Sequence, residues 1–289
     1  MTMAGYQTAS FYRYRRLNTL LMSGVLVYSI FPIVYLLIAS TKNARELYTT
    51  FGLSFGEFHL LQNLRGLAAY DGGIYFRWLA NTLLYSTVCA SGATLLCAMA
   101  AYAFAKFKFP GRDALYNLIL GALMVPQTVL AIPIFLMLAK VGMVDTPWAV
   151  ILPMMLYVPG VFLMRVYIEQ SVPTELLEAA RIDGASEFVI FSRIALRLMA
   201  PGLITVFLLS FVQTWNNYFL PLVVLNSTQY LPITVGLSNW YSIAHNASGG
   251  ETLFTIILTG ATISVLPTIL VFVFMQRYWQ RGLTAGAVK

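Results

Sequence analysis

Six long apolar runs, at about 17–39, 79–105, 115–139, 148–168, 201–225 and 254–276, constrain this chain more than any other feature of its sequence. A helix rises 1.5 Å per residue, so about twenty apolar residues match the hydrocarbon core of a bilayer. Charged residues make up 10% of the chain, against about a quarter in soluble domains, so it cannot cover itself in water. Barrel strands alternate over about ten residues, whereas these runs are continuous and about twice that length. The expectation is an all-α integral membrane protein with six transmembrane helices in a single domain over 1–289. No internal repeat, low-complexity tract or soluble linker interrupts it. The first run exceeds a signal-peptide core and lacks a small-residue cleavage site, so it is read as a retained anchor.

Charge then orients the spans. Arg13, Arg15 and Arg16 precede the first; Lys106, Lys108 and Arg112 follow the second; Arg165, Arg181, Arg193 and Arg197 lie near or after the end of the fourth; Arg277 and Arg281 follow the sixth. All fall on one side, which the positive-inside rule makes cytoplasmic together with both termini. Lys42, Arg45, Arg65 and Arg77, in the loop from Thr41 to Trp78, break the asymmetry. The net charge of +7 thus follows topology, not nucleic-acid binding. Cys89 and Cys97 lie inside one apolar run and read as small buried hydrophobes, with no disulfide implied. Pro126, Pro133, Pro153, Pro159 and Pro267 fall inside spans, where kinks are expected.

The longest charged stretch, Glu169 to Arg197, reads as helix, turn, helix. Pro173 suits a first helical turn, Glu175 and Glu178 favour its positive end, and Gly184 can close it in a left-handed conformation. Ser186 is an N-cap for a second helix, in which Phe188, Phe191, Ala195 and Leu198 share a face opposite Arg193 and Arg197. Such an elbow, with almost no side chain at Ala179 and Ala180, can enter a groove of another protein closely. From the residues alone, a helix lying on lipid is the plainer reading.

Glu178-Ala179-Ala180, three residues, then Gly184, and Ile194-Ala195-Leu196 leading to Pro201, resemble the EAA loop of binding-protein-dependent ABC importer permeases, at the expected place between spans four and five. The resemblance implies the type I importer permease fold, with a cytoplasmic coupling loop over 169–200 that docks into a cleft of the ATPase subunit. Glu178, Ala179, Ala180, Asp183 and Gly184 map onto its motif. That family usually carries Leu-Pro where this chain has Leu196-Arg197, so the second helix is expected to be straighter there.

Further stretches resemble the carbohydrate-uptake branch, in particular its maltose-type second permease. The C-terminal segment from Gln276 to Lys289 is similar to that branch's closing signature, which reaches the ATPase interface; physically it is a small-residue tail with a few bases. Trp215-Asn216-Asn217-Tyr218-Phe219-Leu220-Pro221 resembles a second recurring stretch. Amides inside a span are costly unless they face a partner helix, a cavity or a solute. Gln213, Trp215, Asn216, Asn217 and Tyr218 supply amides for hydroxyls and rings for sugar faces. Helix packing explains them equally well, and the companion permease makes most sugar contacts in maltose-type importers, so they are read as lining the pathway. In the loop from Asn226 to Glu251, external by the charge rule, the resemblance makes Asn239, Trp240 and Tyr241 candidates for meeting the substrate-binding protein. A plain surface loop is the alternative.

The sequence holds no phosphate-binding P-loop, so ATP and Mg are expected to be used by a separate ATPase, with no cofactor on this chain and no catalysis by it. His59 and His245 stand apart from any Cys/His cluster, and no metal site is expected. The resemblance implies a homologous permease as heterodimer partner, two ATP-binding subunits and an extracytoplasmic sugar-binding protein, in a bacterial cytoplasmic membrane. The alternatives are an importer permease for a non-sugar solute, or a stand-alone secondary transporter. The latter should bury ionisable groups in its spans, which here hold almost none.

Overall fold

The computed structural model describes the backbone of residues 3–246 and 250–284, and the side chains of 17–246, 250 and 252–276. Every regular element among the described residues is helical. In chain order they are α1 (Met3–Ser40), α2 (Ala44–Thr49), α3 (Leu60–Ala69), α4 (Ile74–Lys106), α5 (Arg112–Ala122), α6 (Gln127–Lys140), α7 (Trp148–Met154), α8 (Val158–Ser171), α9 (Thr174–Ile182), α10 (Glu187–Val189), α11 (Leu196–Leu198), α12 (Ala200–Trp215), α13 (Phe219–Val224), α14 (Ile233–Asn246) and α15 (Glu251–Thr284). A π-helical turn at Ile190–Ala195 joins α10 to α11.

Four stretches are helical and apolar over membrane length: Leu17–Ser40, Leu60–Lys106, Trp148–Ser171 and Thr252–Gln276. The third apolar run is bent, and the fifth is entered through a bend. α5 and α6 meet at 103°, and Glu187–Leu198 meets α12 at 78°; counting each pair as one span gives six. Pro126 is the N-cap of α6, and Pro153 and Pro159 flank the break between α7 and α8. A proline lacks the N–H and steers its predecessor away from helix, which fits the break before Pro126; Pro153 is the last residue but one of α7 and Pro159 the second of α8, where a first helical turn accepts it. Pro133 and Pro267, by contrast, lie within helices that continue through them.

The chain's contacts fall into two compact units, residues 1–70 with 240–263 and residues 71–239 with 264–289. In the first, α1 presents exposed apolar side chains such as Leu20, Met22 and Tyr28, which suits lipid and not water. Lys42 is 1% exposed. Its Nζ donates to Thr50 Oγ1 at 2.9 Å and to the Phe51 carbonyl at 2.8 Å, closing the turn after α2. Asn63 of α3 donates to the carbonyls of Ser40 and Lys42, both at 2.9 Å, and holds the end of α1.

In the second unit α4 packs along α8 and α12. Over the middle of α4 the buried face is small: Cys89, Ala90, Ala93, Cys97, Ala98 and Ala101. A Cβ on Gly160 of α8 would lie 2.7 Å from Cys97 Sγ, so glycine is what lets the helices approach. Both cysteines are free and buried, as small hydrophobes. Near its start, α4 catches the chain ahead of α14. Arg77 Nε donates to the Gln229 carbonyl, Trp78 Nε1 to that of Thr228 and Tyr85 OH to that of Tyr230, while Thr82 Oγ1 accepts from Ile233 N at 2.7 Å. Lys42 and Arg77, two of the four cations that break the charge asymmetry, are therefore fastened to carbonyls.

Asp145 makes a second fastening. It lies in the left-handed region, φ 60°, which aspartate tolerates better than most residues. Its Oδ1 accepts from Asn226 N and Ser227 N, both at 2.8 Å, and Oδ2 accepts from the Ser227 hydroxyl. These bonds, the Ser227 hydroxyl first, hold the carboxyl below its ordinary value of 3.8. A depressed folded-state value means the contribution is fully present above that ordinary value and disappears as pH falls through the lowered one. Amide exchange at Asn226 and Ser227, corrected for intrinsic rate, is expected to stay slow down to that range and to become fast below it. Asp145→Ala is expected to make it fast at every pH. Separately, Lys42→Met leaves the Phe51 carbonyl without its partner, at a cost of about 1–3 kcal/mol, and is expected to speed proteolysis within 50–59.

Candidate functional site

The elbow between α8 and α12 is built on an anchored base. Leu177 is 0% exposed and packs with Ala101 and Tyr102 of α4, Ile168 of α8, and Ile190, Ala195 and Met199. Lys106 Nζ donates to the Val172 carbonyl at 2.6 Å and to Thr174 Oγ1 at 3.2 Å, tying the end of α4 to the entry of α9. α9 closes in a two-bond C-terminal motif: Ala185 N donates to the Ala180 carbonyl and Gly184 N to that of Arg181, both at 3.0 Å. Gly184 has φ 80°, as its left-handed role requires. Across this turn Arg181 donates to both carboxylate oxygens of Glu187, with Nε at 2.6 Å. Ser186 accepts from Val189 N at 3.4 Å as the N-cap of α10.

What the elbow leaves outside is specific. Glu178, Ala179, Asp183 and Gly184 are exposed and Ala180 is half-buried. Beside them Ile182 is 87% exposed and Phe188 77% exposed. Phe188, expected on the apolar face shared with Phe191, Ala195 and Leu198, points away from it. The π turn steps the buried positions from Ile190 to Ala195 to Met199, which turns Phe188 outward while Phe191 and Leu198 still pack inward. The helix continues through Leu196-Arg197 and bends at Met199, just ahead of Pro201.

The fifth apolar run is interrupted at Asn216-Asn217-Tyr218, between α12 and α13. Side chains satisfy the broken backbone. Asn217 Oδ1 accepts from Leu220 N at 3.3 Å, its Nδ2 donates to Met154 Sδ at 3.0 Å, and its carbonyl accepts from Thr234 Oγ1 at 2.8 Å. Asn216 Nδ2 donates to the Val212 carbonyl at 3.0 Å, and Tyr218 OH pairs with Ser238 Oγ at 3.2 Å. A cavity of about 340 Å³ opens here, lined by Gln127, Thr128, Gln213 and residues 216–220. Four of the five residues expected to line a pathway share it. Trp215 does not: it is 4% exposed and stacks on Phe211 at 5.6 Å in a core with Ala90. Gln127 and Thr128 were missed, because they lie some ninety positions away and join the cavity only through the bend before α6. Beside it lies a larger apolar cavity of about 600 Å³ that shares Gln127, Asn217 and Leu220.

Asn239, Trp240 and Tyr241 lie in α14 and not in a loop. Trp240 is 2% exposed, with its ring edge-on to Tyr70 at 5.0 Å, so it is core; Asn239 and Tyr241 are exposed. The fold also brings together Glu46, Glu57 and His59, whose ligand-type atoms lie within 4.8 Å of one another, a proximity the sequence spacing did not suggest. The oxygens of Glu46 are already engaged, accepting from Glu57 N at 2.9 Å and Asn43 N at 3.2 Å. Those bonds, that from Glu57 first, hold its carboxyl below the usual range. The group is thus a clasp closing the turn around α2. Of the C-terminal segment from Gln276 to Lys289, residues 285–289 lie outside the described residues.

Residues 93–285 match the model of the family described as "binding-protein-dependent transport system inner membrane component". The chain is 34% identical over 262 residues to an arabinooligosaccharides transport system permease protein of Halalkalibacterium halodurans, covering 90% of this chain and 91% of the relative. It is 32% identical to a lactose transport system permease protein of Rhizobium radiobacter, covering 90% and 91%. An sn-glycerol-3-phosphate transport system permease protein of Brucella abortus is 30% identical, covering 92% and 94%. In fold it is similar to a chain in the crystal structure of a bacterial ABC transporter involved in the import of the acidic polysaccharide alginate, with TM-score 0.79, 23% identity and coverage of 93% and 98%.

At the elbow, Gly184→Ala puts a Cβ into a left-handed conformation and is expected to cost about 1 kcal/mol. Faster amide exchange at Gly184 and Ala185, with the core of α4 unchanged, is the expected readout.

Proposed function

We propose that this chain, which belongs to the family of binding-protein-dependent transport system inner membrane components, moves a sugar or a related hydroxyl-rich solute across the membrane as one half of an ATP-driven importer. It is a multi-pass protein of the inner membrane and works with a substrate-binding protein and an ATPase. The finer reading has a homologous permease as its partner, two ATP-binding subunits, both termini in the cytoplasm, and ATP with Mg used only by the ATPases. Lysine and arginine distribution supports the orientation, and the absence of a P-loop motif supports the division of labour.

The observation that carries this reading is the elbow. Its base is held by Leu177, Lys106 and the Arg181–Glu187 pair, so a push on its tip is transmitted to α4 and α8 and is not absorbed locally. The tip offers Glu178, Ala179, Ala180, Asp183 and Gly184, flanked by exposed Ile182 and Phe188. Small residues permit close approach, while the two apolar side chains gain from leaving water on docking. In the proposed cycle ATPase closure draws this elbow toward its counterpart, and the path opens outward to receive solute from the binding protein. Gln213, Asn216, Asn217 and Tyr218 belong to that path; Trp215 supports it from the core. Asn239 and Tyr241 remain the proposed contacts for the binding protein.

The names of the arabinooligosaccharide and lactose relatives support a sugar. The glycerol-phosphate relative supports a second reading, a permease for a non-sugar solute. Co-expression with the neighbouring genes tests the elbow directly. Wild type is expected to retain an ATPase through purification, whereas Glu178→Ala with Gly184→Pro, or Phe188→Asp alone, loses it or uncouples its hydrolysis. A chain that purifies alone, folded and indifferent to these changes, would make the elbow a lipid-facing helix and the protein a stand-alone carrier.

A further inference from the structure

The cavity at the break of the fifth run holds two kinds of polar side chain. Asn217 is spent on the chain itself, with its oxygen capping α13 and its nitrogen on Met154, while the Asn216 nitrogen caps α12 and Tyr218 pairs with Ser238. Gln127, Thr128 and Gln213 differ. Their side chains make no hydrogen bond to any described residue, although they line the same cavity. Threonines elsewhere in these helices, Thr94, Thr205 and Thr262 among them, return their hydroxyl to the carbonyl four residues back. The Thr128 hydroxyl has no such partner, because the position four residues back lies before the bend at Pro126.

Uncommitted amides and a hydroxyl inside an apolar run are costly unless water or a solute meets them. The other lining residues add rings and an apolar side chain, and all the lining side chains are uncharged. A desolvated anion in such a site would have no cation to meet. We propose that Gln127, Thr128 and Gln213 are the specificity-determining contacts of this half of the path, and that they select a neutral, polyhydroxylated solute over a phosphorylated or acidic one. This rests on the importer reading above.

The test uses the importer assembled with its companion permease, ATPase and binding protein in lipid nanodiscs, as wild type and carrying Thr128→Cys or, separately, Gln213→Cys. Cys89 and Cys97 are buried, so within this chain the new thiol is the one open to a water-soluble maleimide, and labelling is read on this chain after the subunits are separated. Lactose, arabinotriose and sn-glycerol 3-phosphate serve as probes; ATPase stimulation is read on the wild-type assembly and labelling rate on the two variants. A neutral sugar is expected to stimulate the ATPase and to slow labelling at both positions, roughly tenfold at ten times the half-saturating concentration. The phosphate ester is expected to do neither. Stimulation by a neutral sugar without protection of either thiol, or with thiols that never label, overturns this inference and leaves the importer reading standing. Stimulation or protection by sn-glycerol 3-phosphate overturns the choice of a neutral solute. Stimulation by none of the probes removes the sugar-importer reading and this inference with it.

Discussion

A backbone amide in hydrocarbon has no water to turn to, and the architecture follows from that requirement. Unbroken helices meet it from within, as α4 and α15 do. Where this chain breaks or ends a helix, side chains take over groups that the helix leaves unpaired. Asn217 caps α13 after the interruption in the fifth run, Thr82 receives the first amide of α14, and Lys106 closes the exit of α8. Prolines remove the donor at the other breaks. The interruptions are thus stable features, and the polar cavity forms where two of them adjoin.

Close helix packing is the second condition. Lipid tails are as apolar as leucine, so helices in a membrane gain little by hiding leucine from them; approach and shape decide instead. The alanine and cysteine face of α4 against Gly160 supplies that approach, and the base of the elbow sits on the same contact surface. Rigidity beneath the elbow and mobility demanded of a transporter are compatible because rigid segments can move as bodies around breaks such as the one before α6.

Much of this was legible in the sequence, because membrane-length apolar runs and helix caps are local signals. The runs, Gly184 in its left-handed turn, Ser186 as a cap and the buried cysteines all follow from neighbours in sequence. Kinks were expected at the prolines, and the chain does break at Pro126 and between Pro153 and Pro159, whereas Pro133 and Pro267 stand in continuous helix; how sharply a run bends does not show in its apolar pattern. Trp215 and Trp240 look like ligand-stacking rings by type, yet both are core, because burial is decided by what lies across the fold. Gln127 and Thr128 were unremarkable until Pro126 turned them toward Gln213. Phe188 was assigned by a 3.6-residue period to a face that the π turn later shifts.

That π turn has a consequence for how the segment tolerates change in length. Between Ile190 and Ala195 one more residue is wound into the turn than an α-helix would take. A single deletion there would restore regular winding with the flanking turns near their present bearing, because the wider turn completes its circle with the extra residue. In the regular helix on either side the same loss would instead turn one flank by about 100° against the other. The π turn is thus the place in this segment where one residue of length can be lost with the elbow and α12 keeping their relative direction.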